Sequence, residues 1–323
     1  MERNFLVRLL HWLSRRFNRY KFLRALGQAP EQVVVREPGE RFLSAPRPIA
    51  PFAVEHWQFA WLADSAYGKT HAGRNCKAAE IARSPENPET ALGRVGWTKW
   101  KNDEFLSDEL RRRFDAYHLR VEVWERQSPA AVAVAFGGTV FRNEMDWLAN
   151  LRWFTPGHED EYTLTQVEFA KAFAEECIKR HQLGQPVSAQ LYSTGHSLGG
   201  GLAQQFAYAL PDVPSVPRVE KVYAFDPSPV TGFFSVDNEL REINRASLKI
   251  DRIYERGEIL AIARSLTNLV WKPPAAAPEI RGVRYNLFYT CNPVAGHSMK
   301  MLAGKLEAAA GGSKGGRARE NMR

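Results

Sequence analysis

Leu191-Tyr192-Ser193-Thr194-Gly195-His196-Ser197-Leu198-Gly199-Gly200-Gly201 is the stretch on which the reading of this chain turns. A strand-like run over residues 187–192 leads into it and a helix-like run over 202–210 leads out. Between them, Gly195-His196-Ser197-Leu198-Gly199 fits G-x-S-x-G, the pattern of a serine carried on a sharp strand-to-helix turn. Such a turn strains the serine backbone and leaves room only for small neighbours. Gly195 and Gly199 supply that room, and Gly200 and Gly201 let the helix begin close to the sheet. The Ser197 hydroxyl then stands above a helix N-terminus, whose free N–H groups favour developing negative charge. A phosphate-binding loop is the competing reading, but no Lys-Ser/Thr pair follows the glycines.

On either side of the turn the hydrophobic pattern alternates between two periods. Strands are predicted over 119–124, 131–136, 219–225, 249–254 and 285–290, and helices over 54–67, 164–177, 202–210, 259–266 and 297–306. Strands alternating with helices predict a mostly parallel sheet covered on both faces, an α/β class. This domain is expected to span 54–310. Pro38, Gly39, Pro46, Pro48 and Pro51 make 31–53 a linker or wrapping arm around a short strand at 33–35, and 68–98 reads as an irregular loop. The basic residues from Gly311 onward read as a disordered tail.

The N-terminal 30 residues stand apart. Leu6, Leu9, Leu10, Leu13, Phe17 and Tyr20 recur at helical spacing, with arginines opposite, as in an interfacial amphipathic helix. The same face could equally dock on the core or on a partner protein. Seven basic residues against Glu2 give this arm +6 of the chain's net +8. The body is therefore nearly neutral. This argues against nucleic acid as a partner and for an arm that meets an anionic membrane surface through residues 1–26. A chain of 323 residues, 44% hydrophobic and 25% charged, buries a sizeable core. Cys76, Cys177 and Cys291 are too widely spaced for a disulfide framework or a cysteine zinc site, so neither metal nor cofactor is expected. With no apolar run long enough to span a membrane and no secretory-type leader evident, the expected location is cytoplasmic or peripheral to a membrane, with export by a route that cleaves no signal as another possibility.

A serine nucleophile needs a base, an orienting acid and an oxyanion hole. On a sheet of this kind they follow in the order serine, acid, histidine. His196, inside the turn, is poorly placed to reach around to its neighbour's hydroxyl. His297, just after the last predicted strand, is the candidate base. Two acids compete: Glu258, just past the strand at 249–254, and Asp226, which ends the strand at 219–225. Glu258 is the leading candidate and Asp226 the alternative, while Glu255 could equally be a solvated charge paired with Arg256. For the oxyanion hole, one donor is the N–H of Leu198. The other is Thr139, at the end of Phe136-Gly137-Gly138-Thr139.

Ala133-Val134-Ala135-Phe136-Gly137-Gly138-Thr139 followed by Asp146-Trp147-Leu148, together with Gly195-His196-Ser197-Leu198-Gly199-Gly200, resembles the class-three (fungal-type) lipase family. Residues 255–260 resemble the stretch carrying that family's acid, and Gly296-His297 the site of its histidine. The resemblance covers roughly residues 55 to 305. It implies an α/β-hydrolase fold, a Ser-acid-His triad and hydrolysis of lipid esters by a lipase or phospholipase. It also implies a lid over residues 142–154, with Trp147, Leu148, Leu151 and Trp153 as its apolar members. Three departures stand out. Gly137 replaces the family's usual arginine; Glu258 stands where aspartate, followed shortly by proline, is usual; and 225–231 lacks the usual G-x-P run, which is where Asp226 enters. A soluble short-chain esterase and a non-catalytic scaffold are the alternative readings.

Overall fold

The computed structural model describes residues 32–40, 46–68, 87–101, 105–138, 161–188, 190–228, 233–256, 276–287 and 297–320. Its centre is a sheet of nine strands: β1 (Gln32–Arg36), β2 (Pro46–Pro48), β3 (Trp97–Lys99), β4 (Val121–Gln127), β5 (Ala130–Phe136), β6 (Leu191–His196), β7 (Val219–Phe225), β8 (Lys249–Glu255) and β9 (Glu279–Tyr285), in spatial order 2-1-9-8-7-6-5-4-3. The five strands from β5 to β9 are mutually parallel. Antiparallel strands close both flanks, β4 and β3 on one side and β1 and β2 on the other.

The helices divide between the two faces. α1 (Ile49–Ser65) and α7 (Met299–Glu320) pack on one face, over Val33, Ala133, Phe225, Ile253 and Val283. α3 (Asp108–Ala116), α4 (Glu161–Gln182) and α5 (Leu198–Ala209) pack on the other, over Val132, Val134, Phe136, Val222 and Ile250. The alternation of β5 explains the asymmetry. Its Ala131, Ala133 and Ala135 face α1, and its larger Val132, Val134 and Phe136 face α4 and α5. Small side chains let α1 lie close to the sheet, where Ala60, Trp61, Leu62 and Ala63 are fully buried. A central parallel sheet with helices on both faces, and the serine on the turn out of β6, is the α/β-hydrolase arrangement.

Several boundaries differ from the sequence reading. Residues 32–36 and 46–48 of the expected arm are strands of the sheet, and α1 starts at Ile49 because Pro48 and Pro51 suit a helix's first turn. The expected loop at 68–98 contributes a short helix, α2 (Pro88–Gly93), and β3. A strand not read from the sequence runs over Glu279–Tyr285, and residues 288–290 of the strand expected at 285–290 lie outside the described residues. α7 continues to Glu320, through the stretch read as a tail. α3 and α6 (Asn238–Arg245) were not anticipated.

A polar seam ties α1 to the sheet. Asp251 on β8 lies between Lys221 on β7 and Arg281 on β9, with its carboxylate 2.9 Å from Lys221 Nζ and 2.8 Å from Arg281 Nε. From α1, Glu55 meets the same two cations at 2.5 and 2.8 Å, and His56 Nε2 lies 3.0 Å from Asp251 Oδ2. Two carboxylates and two cations balance, which is what lets the buried Asp251 stay charged. Burial raises the pKa of Asp251, but the bonds from His56 and Arg281 outweigh it and hold the carboxyl well below its usual range.

Candidate active site

β6 ends at His196, α5 begins at Leu198, and Ser197 between them has φ 57° and ψ −122°. A non-glycine residue in that region is strained and persists only where its surroundings enforce it. The enforcement comes from β7: Ser197 N–H donates to the Phe225 carbonyl at 2.9 Å, and the Ser197 carbonyl accepts from Ser228 N–H at 3.0 Å. The flanking glycines are sterically obligatory. A Cβ on Gly195 would stand 2.2 Å from the Gly199 carbonyl oxygen, and one on Gly199 would stand 2.3 Å from that of Phe136. Leu198 opens α5, so its N–H belongs to the first turn, where the intrahelical ladder supplies no partner.

The side chain of His196 points to the α1 face, where its Nδ1 lies 2.6 Å from the Tyr67 hydroxyl. Its Nε2 lies 3.9 Å from Asp226 Oδ2, and its ring centroid is 4.5 Å from that of His297. Asp226 follows β7 with φ 40°, a second strained non-glycine residue one strand away from the first. Its N–H donates to the Ile253 carbonyl at 2.7 Å, and its Oδ1 accepts from Glu255 N–H at 3.1 Å. Those two bonds leave Oδ2 on the side of the histidines. One ring nitrogen from each of His196 and His297 and one carboxylate oxygen of Asp226 all lie within 4.8 Å of one another. His196 and Asp226 are buried at 4% and 0% exposure, and His297, just before α7, is partly buried.

The structure thus gathers Ser197, Leu198, Asp226 and His297 of the predicted residues at the C-terminal edge of the parallel strands. Thr139, Glu258 and the lid residues Trp147, Leu148, Leu151 and Trp153 lie outside the described residues, as does the arm at 1–26. Glu255 departs from expectation. It is wholly buried, and both of its oxygens accept from Leu287 N–H, at 2.9 and 3.0 Å, so it joins the end of β8 to the chain leaving β9.

Sequence reasoning missed Tyr67. It follows α1 at the sheet's C-terminal edge, and the Arg120 guanidinium donates to its carbonyl. The approach to the site is tight: a Cβ on Gly138 would fall 2.3 Å from the Tyr67 hydroxyl and 2.7 Å from the His196 carbonyl oxygen. Gly137 is confined in the same way, with 2.6 Å from a Cβ to the Ala66 carbonyl oxygen. The arginine usual at that position in the resembled family has no room here.

No protein-family model and no curated protein matches the chain. Solved structures similar to it include a fungal lipase–inhibitor complex described as a model for interfacial activation, at 14% identity and a TM-score of 0.40. Lipase II from Rhizopus niveus is similar at 13% identity and a TM-score of 0.39. Each alignment covers 72% of this chain and 78% of the other.

Proposed function

We propose that this protein is a serine carboxylic-ester hydrolase acting on lipids, a lipase or phospholipase. The observation that carries the reading is Ser197, strained between β6 and α5, with Asp226 and His297 grouped around the imidazole of its neighbour. Ser197 Oγ attacks the ester carbonyl while His297 takes its proton. The leaving alcohol departs with that proton, and water then hydrolyses the acyl-enzyme by the same route in reverse order. Asp226 orients His297. What supports it over Glu258 is its place in the cluster, with one oxygen held by Glu255 N–H and the other toward the histidines. The N–H groups of Leu198 and Thr139 receive the oxyanion, where the dipole of α5 adds to them.

The choice of lipid as substrate rests on the motif resemblance and on the arm. Residues 142–154 serve as the lid, and residues 1–26 concentrate the enzyme on anionic membrane surfaces, favouring phospholipid over triglyceride. Fatty-acid release from phospholipid vesicles, triglyceride emulsions and short-chain esters by the wild type and by Ser197→Ala tests this. The expected result is release from a lipid substrate that Ser197→Ala abolishes. Release from short esters alone makes the protein a soluble esterase. No release from any of them by folded wild type supports the scaffold reading.

A further inference from the structure

The cluster beside Ser197 has the chemistry of a metal site as well as that of a triad. His196 and His297 each offer a ring nitrogen and Asp226 a carboxylate oxygen, and these three atoms lie within 4.8 Å of one another. Two imidazoles and a carboxylate make a donor set that suits zinc, leaving a fourth position for water. Two donors bound to one tetrahedral zinc ion stand about 3.3 Å apart. His196 Nε2 and Asp226 Oδ2, at 3.9 Å, need only a small side-chain rotation to reach that spacing.

Two of the three ligands also carry the outer hydrogen bonds that such sites use. Metal-bound histidines hold their other ring nitrogen in a hydrogen bond that fixes the tautomer, and ligating carboxylates are themselves hydrogen-bonded. His196 Nδ1 lies 2.6 Å from the Tyr67 hydroxyl, and Nε2 faces Asp226. Asp226 Oδ1 accepts from Glu255 N–H, which fixes the carboxylate with Oδ2 3.9 Å from His196 Nε2. A second such cluster among the described residues, Glu55, His56 and Asp251, is different in kind: Lys221 and Arg281 already lie on its carboxylates, and a dication there would meet two positive charges.

The geometry points to a zinc site formed by His196, His297 and Asp226, occupied in competition with catalysis. Zinc takes the lone pair of one His297 ring nitrogen and the carboxylate of Asp226 together, so the base loses its orienting acid while the metal is bound. Binding is to neutral imidazoles and breaks no covalent bond, so removing the metal restores the triad. The consequence for activity rests on the serine-hydrolase reading, but the binding site itself does not.

The test separates the two. Full-length Ser197→Ala, which keeps all three ligands, is titrated with zinc chloride by calorimetry and with Co²⁺ by visible absorption. One equivalent is expected to bind, and Co²⁺ is expected to show the intense visible bands of a four-coordinate site. Adding His196→Asn or Asp226→Asn should abolish both signals. Tyr67→Phe should weaken binding about tenfold, and Glu55→Gln should leave it unchanged. Because the Co²⁺ spectrum is read on the parent protein, it holds even if a ligand variant does not fold. In the wild type, zinc should suppress ester hydrolysis, and a chelator should restore it. Absence of a one-to-one complex overturns the proposal, as does binding unaffected by His196→Asn in a folded variant or zinc that raises the hydrolytic rate. Loss of zinc binding with hydrolysis intact overturns the metal site alone.

Discussion

Replacing Gly199 by alanine probes the steric logic of the turn. The added Cβ falls 2.3 Å from the Phe136 carbonyl oxygen and 2.9 Å from the Gly137 carbonyl carbon, where ordinary contact begins at 3.4 Å. The overlap of about 1.1 Å (3.4 less 2.3) is with backbone at the end of β5, which has no rotamer to yield. Either the start of α5 moves away, taking Leu198 N–H and Ser197 with it, or β5 and β6 part. Overpacking of this kind costs about 1–3 kcal/mol, which in a chain this size lowers the melting temperature by about 1.5–4.5 °C. A displacement of about 1 Å at the nucleophile costs roughly 100-fold in rate. Thermal melts and kcat/KM on a soluble ester read the two effects separately. Gly93→Ala is the control: nothing lies within 4 Å of its Cβ, so stability and activity should hold. Gly199→Ala with wild-type melting and wild-type kcat/KM would refute the argument that glycine is obligatory at this position.

Three further outcomes follow from the same structure. Asp226→Asn should lower kcat about 10³–10⁴-fold by leaving His297 without an orienting acid, while Glu258→Gln stays within about tenfold; the reverse pattern in ester kinetics assigns the acid to Glu258. Asp251→Asn leaves Glu55 as the carboxylate facing Lys221 and Arg281 and should cost about 1.5–3 kcal/mol in urea unfolding, against less than about 1 kcal/mol if the seam behaves as a surface ion pair. Burial pushes the Asp64 carboxyl up to about 7 against the opposing pull of Lys300. Because that folded-state pKa lies above the unfolded one, its contribution is full below pH 4 and is lost as pH rises to 7. The loss is about 1–2 kcal/mol after allowance for partial exposure, and Asp64→Asn should remove that slope from stability measured across pH 4–8.

The turn at Ser197 was legible because its demand is local: the clash between Gly195 and Gly199 follows from a strand folding sharply into a helix, whatever surrounds it. β7 was read residue for residue because its inner positions are buried on both faces. α3 escaped because it buries only Leu110 and Phe114, too few for a periodic signal; its mark was the Ser107 cap, which accepts from Leu110 N–H. α6 buries only Asn244, whose side chain donates to the Tyr208 and Leu210 carbonyls, so its packing is polar and invisible to hydropathy. β9 went unread because Gly282 and three charged residues interrupt it, and it is a strand through its pairing with β1 and β8. At the site, the placing of His297 beside His196 could be expected from its position along the chain. The contact of Tyr67 with His196 could not, because it depends on which loop the fold brings to the edge of the sheet.

The central claim is that Ser197 is an activated nucleophile. Incubating the folded full-length protein with a fluorophosphonate and locating the adduct by peptide mass spectrometry tests it most directly. One adduct is expected, on Ser197, lost in Ser197→Ala and suppressed in His297→Asn. Folded wild-type protein that takes up no phosphonate, or takes it up at another residue, would contradict it.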